Sequence, residues 1–216
     1  MIKYVLWDFN GTLINDVDAA VQNINDLLRK YGKKQIDLET YREVFTFPVI
    51  EYYKNVGLVK DDEEFKGIAH EWMDGYYAME KDLKIFGGTY RNLERVHELG
   101  LRQGVLSASS MKQLTRLLDQ HELTGYMDDI LGVDDIYANG KVEVGLNFIR
   151  NHHLNPEEVV LIGDTFHDYE VAAEMGIHCI LSAKGHQSHE ILSSTGCLVV
   201  QEIEEIFDSE LFQSID

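Results

Sequence analysis

"IKYVLWDFNGTL" (residues 2–13) opens with a β-branched and aromatic run and closes with an Asp-x-Asn-Gly turn. A short apolar run bounded by turn residues is typical of a buried parallel strand, and not of an amphipathic helix. Later runs have the same character, and they span residues 102–108, 128–133, 158–164, 178–183 and 197–200. The sequence therefore predicts a buried sheet that begins with residues 2–8.

Helical patterns alternate with these strands. The first, "TYRNLERVHELG", has Thr89 as its predicted N-cap and Gly100 as its stop. Segments beginning at residues 110, 141 and 166 show the three- and four-residue spacing of apolar side chains that a helix packed on a sheet requires. Strand and helix in alternation predict an α/β fold with a doubly wound, mostly parallel, Rossmann-like sheet.

A long segment between the first two strands lacks strand character. Its predicted helices span residues 16–31, 37–46, 48–56 and 61–83, the third with Pro48 at its first helical position. We therefore predict an inserted all-helical cap over residues 15–85 and an α/β hydrolase core over residues 1–14 and 86–216. The expected exits from the core are residues 13–15 and 84–88, and a final acidic helix is expected over residues 201–216.

Composition restricts the partners of the chain. The formal net charge of −19 disfavours binding to nucleic acid or to an anionic membrane, because phosphate backbones are held by Lys and Arg. Cys179 and Cys197 lie in apolar runs and are expected to be buried thiols, which favours a reducing cytoplasm. No apolar stretch approaches the roughly 20 residues of a membrane helix, and "MIKYVLWDF" is too short for a signal peptide. We expect a cytoplasmic location, no membrane or nucleic-acid contact and no obligate protein partner.

Polar residues at strand ends are the candidate functional residues, because ligands of open α/β sheets bind beyond the carboxyl ends of the strands. Asp8 ends the first run, Ser107 ends "GVLS", Lys141 opens a helix, and Asp164 ends "VVLIG" with Asp168 four residues later. Any one of these residues alone would be an ordinary turn or cap. Their shared position at strand ends and helix starts predicts one site.

Four motifs around these residues resemble the haloacid dehalogenase-like hydrolase superfamily. They are "DFNGTL" (8–13), "VLSASS" (105–110), "GKVEVG" (140–145) and "GDTFHD" (163–168), of which the first and last are specific and the others are assigned mainly by position. The chain is most similar to the phosphoglycolate phosphatase and β-phosphoglucomutase branch, which has a helical cap. The resemblance implies a Mg²⁺-dependent phosphatase acting on a small phosphorylated metabolite.

The same resemblance assigns roles to single residues. Asp8 would attack phosphorus and form an aspartyl phosphate. Mg²⁺ would take oxygen ligands from Asp8, Asp164 and the main-chain carbonyl of Asn10, and Asp168 would orient a metal-bound water or Lys141. The implied catalytic residues are Asp8, Asn10, Ser107 and Lys141. The implied substrate-binding residues are Asn10, Gly11, Thr12, Ser107, Ala108 and Lys141. The implied metal-site residues are Asp8, Asn10, Asp164 and Asp168.

Asn10 departs from the family pattern. Most phosphatases of the family have Asp at this position, as acid toward the leaving oxygen and then as base toward water, whereas an Asn side chain exchanges no proton at neutral pH. Such acid–base help contributes about 10²–10⁴ in rate. Three interpretations stay open: a phosphatase for acyl or aryl phosphates, a weakly active or non-catalytic phosphate-ligand binder or regulator, and a substitution introduced to trap a complex.

Other residues of the cap leave further alternatives. Asp16 or Asp18 could lend a carboxylate to the site, although N-caps of the first cap helix are the favoured interpretation. Lys54 could form a Schiff base, as in phosphonate-cleaving relatives, although a surface position is favoured. An intramolecular phosphotransferase is disfavoured, because Asn10 cannot shuttle protons in both transfers.

Two more stretches bear on the site, one with two histidines and one rich in aromatic residues. "GHQSHE" places His186 and His189 at a ligand-like spacing, but without a third His or a Cys nearby it is interpreted as a polar turn that enters a helix. "FTFPVIEYY" (45–53) is the most aromatic stretch of the cap. It is expected to be mostly core, with one or two rings forming a wall over the substrate.

Overall fold

The strands of the structure follow the predicted runs. A computed structural model describes residues 1–133 and 140–213. Its strands are β1 (Tyr4–Trp7), β2 (Ile14–Asn15), β3 (Lys84–Ile85), β4 (Arg102–Leu106), β5 (Asp129–Leu131), β6 (Val159–Gly163), β7 (His178–Ser182) and β8 (Leu198–Val200). Six of them form one parallel sheet in the order β5-β4-β1-β6-β7-β8. The predicted doubly wound fold is confirmed.

The position of β1 places the candidate residues together. It lies in the interior of the sheet, where Leu6 pairs with Gly104 of β4 on one side and with Leu161 of β6 on the other. Because all three strands are parallel, their carboxyl ends meet at one edge of the sheet. Asp8 and Asp164 therefore emerge side by side at that edge.

Helices cover both faces of the sheet and fill the insertion. They are α1 (Val17–Lys30), α2 (Leu38–Val44), α3 (Val49–Asn55), α4 (Asp62–Met79), α5 (Thr89–Glu98), α6 (Met111–Gln120), α7 (Lys141–Asn151), α8 (Phe166–Met175), α9 (His189–Ser193) and α10 (Glu210–Gln213). The four predicted cap helices are confirmed as α1 to α4. The predicted turn before α7 lies mostly outside the described residues, and the boundaries of the two domains stay a prediction. Within the described ranges, no helix has the length and apolar character needed to span a bilayer.

Apolar side chains form separate clusters on the two faces of the sheet and in the cap. Along β1, Val5 and Trp7 pack on the face covered by α5 and α6, whereas Tyr4 and Leu6 pack on the face covered by α7 and α8. The cap has its own cluster, which includes Ile24, Leu28, Tyr41 and Tyr53. The core and the cap are therefore each stabilised by apolar burial of their own.

Two predicted helix starts are wrong by one residue. Gly88, not Thr89, is the N-cap of α5, and it adopts φ +87°, which glycine tolerates without steric cost. Thr89 is buried, and its hydroxyl donates a hydrogen bond to the carbonyl of Leu13 at 3.3 Å, so that its side chain ties α5 to the end of the first motif. Pro48 is the N-cap of α3 and precedes the first helical residue.

Two segments differ in type from the prediction. The exits from the core pair with each other as the antiparallel strands β2 and β3, with Ile14 opposite Ile85. Strands of two residues carry no periodic signal, and the sequence analysis therefore missed them. The closing segment is a 3-10 helix over Ile203–Asp208 followed by α10, and not one acidic helix; residues 214–216 of that prediction lie outside the described range. Cys179 and Cys197 are both half-buried and form no disulfide, where buried thiols were expected.

We predict that a buried amide is needed for the stability of the sheet. The indole N–H of Trp7 donates to Oε1 of Gln103 at 2.9 Å, and Nε2 of Gln103 donates to the carbonyl of Leu93 at 2.9 Å. Gln103→Met would leave both partners unpaired and should lower the free energy of unfolding by about 2–4 kcal/mol in urea denaturation. Gln201→Met, at an exposed side chain, is the control and should stay within about 0.5 kcal/mol. Equal stability of the two variants would contradict the prediction.

Candidate active site

Three buried carboxylates meet at the carboxyl edge of the sheet. One oxygen each of Asp8, Asp164 and Asp168 lies within 4.8 Å of the others. Asp8 follows β1, Asp164 follows β6, and Asp168 lies in the first turn of α8. The sequence of that turn holds Asp168 in place, because Thr165 and Asp168 form a capping box in which the N–H of Thr165 donates to Oδ2 of Asp168 at 3.0 Å and the N–H of Asp168 donates to the Thr165 hydroxyl at 3.3 Å. The Thr165 hydroxyl also donates to Oδ2 of Asp168 at 2.7 Å.

Lys141 brings a positive charge into this cluster. It is the first residue of α7, and its buried ammonium donates to Oδ1 of Asp8 at 2.5 Å and to Oδ1 of Asp168 at 2.6 Å. Burial and the dipole at a helix N-terminus both disfavour a cation. The two carboxylates outweigh these effects, and the pKa of Lys141 is raised above its ordinary value. The lysine therefore stays charged.

One lysine does not compensate three buried carboxylates. Burial raises the pKa of Asp8 well above its ordinary value, although Lys141 opposes the shift. Burial likewise raises the pKa of Asp164 to about 7, against the effect of His186. Only Asp168, where Lys141 outweighs burial, has a lowered pKa. Clustered oxygen donors with uncompensated negative charge are the donor set that a hard divalent cation such as Mg²⁺ prefers, and these residues fit it.

A cavity of about 360 Å³ lies between this cluster and the cap. Predicted residues that line it include Asn10, Ser107, Ala108 and Lys141. Ser107 is buried at the end of β4, and its Oγ accepts a hydrogen bond from the backbone N–H of Ser109 at 3.1 Å. The structure therefore places these predicted residues at the mouth of the carboxylate cluster.

Gly11 and Thr12 contact the carboxylates of Asp16 and Asp164. The hydroxyl of Thr12 donates to Oδ1 of Asp164 at 3.1 Å, and the N–H of Gly11 donates to Oδ1 of Asp16 at 2.9 Å. Gly11 has φ +74°, and a Cβ at this position would collide with Asp164 and His186. Glycine is thus needed for close packing of the first motif against the fourth, and the role of Gly11 and Thr12 as phosphate ligands stays a prediction.

The amide of Asn10 makes three hydrogen bonds to the protein, and both of its donor directions are used. Its Nδ2 donates to Oδ2 of Asp16 at 2.8 Å and to the hydroxyl of Tyr76 at 2.8 Å, and its Oδ1 accepts from the hydroxyl of Ser109 at 3.0 Å. The Tyr76 hydroxyl in turn donates to Oδ2 of Asp16 at 2.7 Å. A carboxylate thus lies beside Asn10, and it belongs to Asp16.

Asp16 is the N-cap residue of α1, as expected from the sequence, but its side chain has other partners. Its side chain makes no capping hydrogen bond to α1 and turns toward the site instead, whereas Asp18 is exposed. Burial would raise the pKa of Asp16, but the positive charge of His186, with hydrogen bonds from His186, Asn10 and Tyr76, lowers it. Asp16 therefore carries a negative charge at the boundary of the cavity.

His186 is the functional candidate that the sequence analysis missed. It lies in the predicted turn that enters α9, but its side chain is buried. Its Nε2 lies 3.2 Å from Oδ1 of Asp16, and its Nδ1 lies 2.8 Å from the hydroxyl of Tyr41. Burial would lower its pKa, but Asp16 raises it to about 9. His189, the other histidine of this stretch, is exposed. Collecting the polar residues after β7, as was done for β1 and β6, would have found His186.

The cap is docked over the cavity by hydrogen bonds and ring contacts. The guanidinium of Arg42 donates to the carbonyl of Gly185 at 3.0 Å, and Nε2 of Gln187 donates to the carbonyl of Phe45 at 2.8 Å. The ring of Phe47 stacks on that of His167 with centroids 4.8 Å apart. The cap wall is aromatic and includes Phe45, Phe47, Tyr52, Phe65, Trp72 and Tyr76. Side chains of the aromatic stretch 45–53 thus line the cavity as well as pack in the core of the cap.

Lys54 does not belong to this wall. Its ammonium lies 2.9 Å from Oε1 of Glu51, and this hydrogen bond raises its pKa. A Schiff-base lysine needs a lowered pKa and access to substrate. The structure therefore favours the surface interpretation of Lys54 over a phosphonate-cleaving role.

Comparisons with known proteins agree with this geometry. The haloacid dehalogenase-like hydrolase family matches residues 5–182. The phosphoglycolate phosphatase of Pseudomonas fluorescens is 23% identical over 212 residues, which are 94% of this chain and 78% of that protein. The phosphoglycolate phosphatase of Aliivibrio fischeri is 22% identical over 203 residues, which are 90% of this chain and 89% of that protein.

A solved structure shows the same fold. The haloacid dehalogenase-like hydrolase of Streptococcus pneumoniae superposes with a TM-score of 0.82 at 18% identity, covering 96% of this chain and 97% of that one. The names of the curated relatives are consistent with hydrolysis of phosphoric monoesters. The match over most of the length, together with the carboxylate cluster at the expected motifs, shows that the chain belongs to the haloacid dehalogenase-like hydrolase family.

Proposed function

We propose that this protein is a Mg²⁺-dependent phosphatase that hydrolyses a small phosphorylated metabolite through an aspartyl phosphate on Asp8. The observation that carries the proposal is the buried cluster of Asp8, Asp164 and Asp168 around Lys141, beneath a cavity lined on its other side by the cap. A carboxylate nucleophile beside a cation, with room for a phosphoryl group, is the arrangement that this chemistry needs.

Each residue of the cluster has a distinct task in this mechanism. Asp8 attacks phosphorus, and Lys141 holds its carboxylate in position and offsets its charge. Asp168 accepts hydrogen bonds from Lys141 and Thr165 and thereby orients the lysine. The side chains of Asp8 and Asp164 and the main-chain oxygen of Asn10 would hold Mg²⁺. When bound, the ion supplies charge that stabilises the phosphoryl group in the transition state.

Asn10 limits what the site does to the leaving group. Its amide has no proton to transfer, and it is already bonded to Asp16, Tyr76 and Ser109. The leaving oxygen therefore departs without help from this position. Phosphates whose leaving group is a weak base, such as acyl phosphates and aryl phosphate esters, are the expected substrates.

A second candidate function follows from the same observation. If the loss of the proton donor is decisive, the protein is a weakly active or non-catalytic binder of a phosphorylated ligand, in which closure of the cap is the response. Either function involves a small phosphorylated partner and neither involves nucleic acid, a membrane or an obligate protein partner. A cytoplasmic location accompanies both.

Metal binding is the first requirement that the two functions share. Mg²⁺ with beryllium fluoride, which mimics a phosphoryl group on Asp8, should raise the melting temperature by about 5 °C or more, because both bind only the folded state. Asp164→Asn removes one of the carboxylates and should abolish the shift. Differential scanning fluorimetry measures both. A shift that is unchanged in Asp164→Asn would contradict the assigned metal site.

Turnover separates the phosphatase from the binder. Phosphate release from acetyl phosphate should require Mg²⁺ and should fall by at least about 10³-fold in Asp8→Asn, because the substituted amide is not a nucleophile. Asp18→Asn, which removes an exposed carboxylate of α1, is the matched control and should keep the activity. A protein that binds beryllium fluoride but releases no phosphate from any ester is the binder.

The proton-donor argument predicts a gain of function. Asn10→Asp would place a carboxyl beside that of Asp16, and such a pair keeps a proton near neutral pH because two like charges repel. The value of kcat/KM for ethyl phosphate should rise at least about tenfold, with a much smaller effect on kcat/KM for acetyl phosphate, because kcat/KM covers the steps up to departure of the leaving group and excludes the hydrolysis of the aspartyl phosphate that both substrates share. Asn15→Asp adds the same charge at an exposed position and should change neither rate. Equal effects on both substrates would contradict the assigned role of position 10.

A further inference from the structure

We infer that the leaving group of the substrate carries an uncharged aromatic ring, and not a carboxylate as in phosphoglycolate. The inference rests on the proposed function, since it concerns the part of the substrate that Asp8 releases. It is carried by the cap side of the cavity, whose chemistry differs from that of the carboxylate cluster below it.

The wall facing away from the carboxylates is made of rings and aliphatic side chains. Phe45, Phe47, Tyr52, Phe65 and Trp72 contribute to it. The rings pack against one another at edges and faces, as between Phe45 and Phe47 with centroids 5.6 Å apart, which fixes their orientation. A rigid aromatic wall binds a flat apolar group by burial and ring stacking.

Positive charge is scarce at this wall. Among the described residues that line the cavity, Lys141 is the one lysine or arginine, and it is bonded to Asp8 and Asp168. Residues 134–139, in the sequence before it, contain neither lysine nor arginine. Arg42 of the cap is bonded to the carbonyls of Gly185 and Lys184. A second anionic group on the substrate would therefore enter without a cation, which is costly in a closed site.

Negative charge is present at the same boundary. Asp16 lines the cavity together with the three carboxylates of the cluster. His186 lies beside Asp16 and balances it, so that neither residue offers an unpaired charge to the ligand. A carboxylate on the leaving group would therefore find no unpaired cation among the described residues of this boundary, whereas an uncharged ring needs none.

The size of the cavity limits the ring. Its volume of about 360 Å³ must hold the phosphoryl group as well as the leaving group. This volume is at the low end of the range of about 300–1,000 Å³ that small-molecule sites occupy. The cavity accordingly fits one ring with small substituents.

Benzyl phosphate and phosphoglycolate provide the direct test. Both compounds release a primary alkoxide, so the absence of a proton donor should slow both reactions to a similar extent. They differ in whether a ring or a carboxylate contacts the wall. We expect kcat/KM to be at least about tenfold higher for benzyl phosphate. Acetyl phosphate is measured alongside, because its small acyl group needs little contact with the wall to react.

The outcomes separate the inference from the function on which it rests. Turnover of acetyl phosphate with equal or better use of phosphoglycolate than of benzyl phosphate would overturn the inference and leave the phosphatase intact. A preference for phosphocholine would assign the aromatic wall to a cation and would also overturn it. Failure to release phosphate from acetyl phosphate or from any ester would overturn the phosphatase, and the substrate class with it.

A charge placed on the wall provides a second measurement. Met73 lines the cavity, and Met73→Lys adds a cation with little change in length. It should lower the ratio of kcat/KM for benzyl phosphate to that for phosphoglycolate by about tenfold, through pairing with the carboxylate. Leu38→Lys adds the same charge on the exposed surface of the cap and should leave the ratio within about twofold. Equal ratios in the two variants would contradict the role of the wall, and the native chain decides alone if Met73→Lys does not fold.

Discussion

The repulsion among buried carboxylates is the constraint on which the rest of this structure depends. Asp8, Asp164 and Asp168 share a space in which water cannot screen them. Lys141 lies at the start of α7, where the helix dipole disfavours a cation. Hydrogen bonds from Thr165 and Lys141 stabilise the charged form of Asp168. Lys141 offsets part of the charge of Asp8, and the negative charge that remains on the cluster suits it to the cation of the proposed function.

The same constraint offers a physical reason for Asn10. Asp16 occupies the position beside it, with Oδ2 at 2.8 Å from Nδ2 of Asn10. An aspartate at position 10 would add another carboxylate to a region that already holds four, whereas an amide donates a hydrogen bond to Asp16. Tyr76 of the cap joins the pair, so that the side chain which replaces the proton donor also contacts the cap. The residue at position 10 therefore also makes a hydrogen bond that joins the core to the cap.

The sheet, the four cap helices and the carboxylate cluster could be predicted because each leaves a local signal. Buried strands are continuous apolar runs, and Asp8 and Asp164 stand where such runs end. Asp16 and His186 could not be assigned to the site from a local pattern, because they contact each other across 170 residues of sequence. Short strands such as β2 and the N-cap at Gly88 were missed because tertiary pairing, and not local pattern, determines them.

In the proposed phosphatase, the reaction and the choice of substrate depend on different parts of the chain. The reaction depends on carboxylates whose positions are fixed by parallel strands, and small changes there would leave buried charge unpaired. The cap wall depends on apolar packing, which tolerates exchange of one ring or aliphatic side chain for another. At 23% identity, the relatives named phosphoglycolate phosphatase therefore inform the chemistry at Asp8 more than the group that it releases. The charge of the wall, read directly from its side chains, is the better guide to that group.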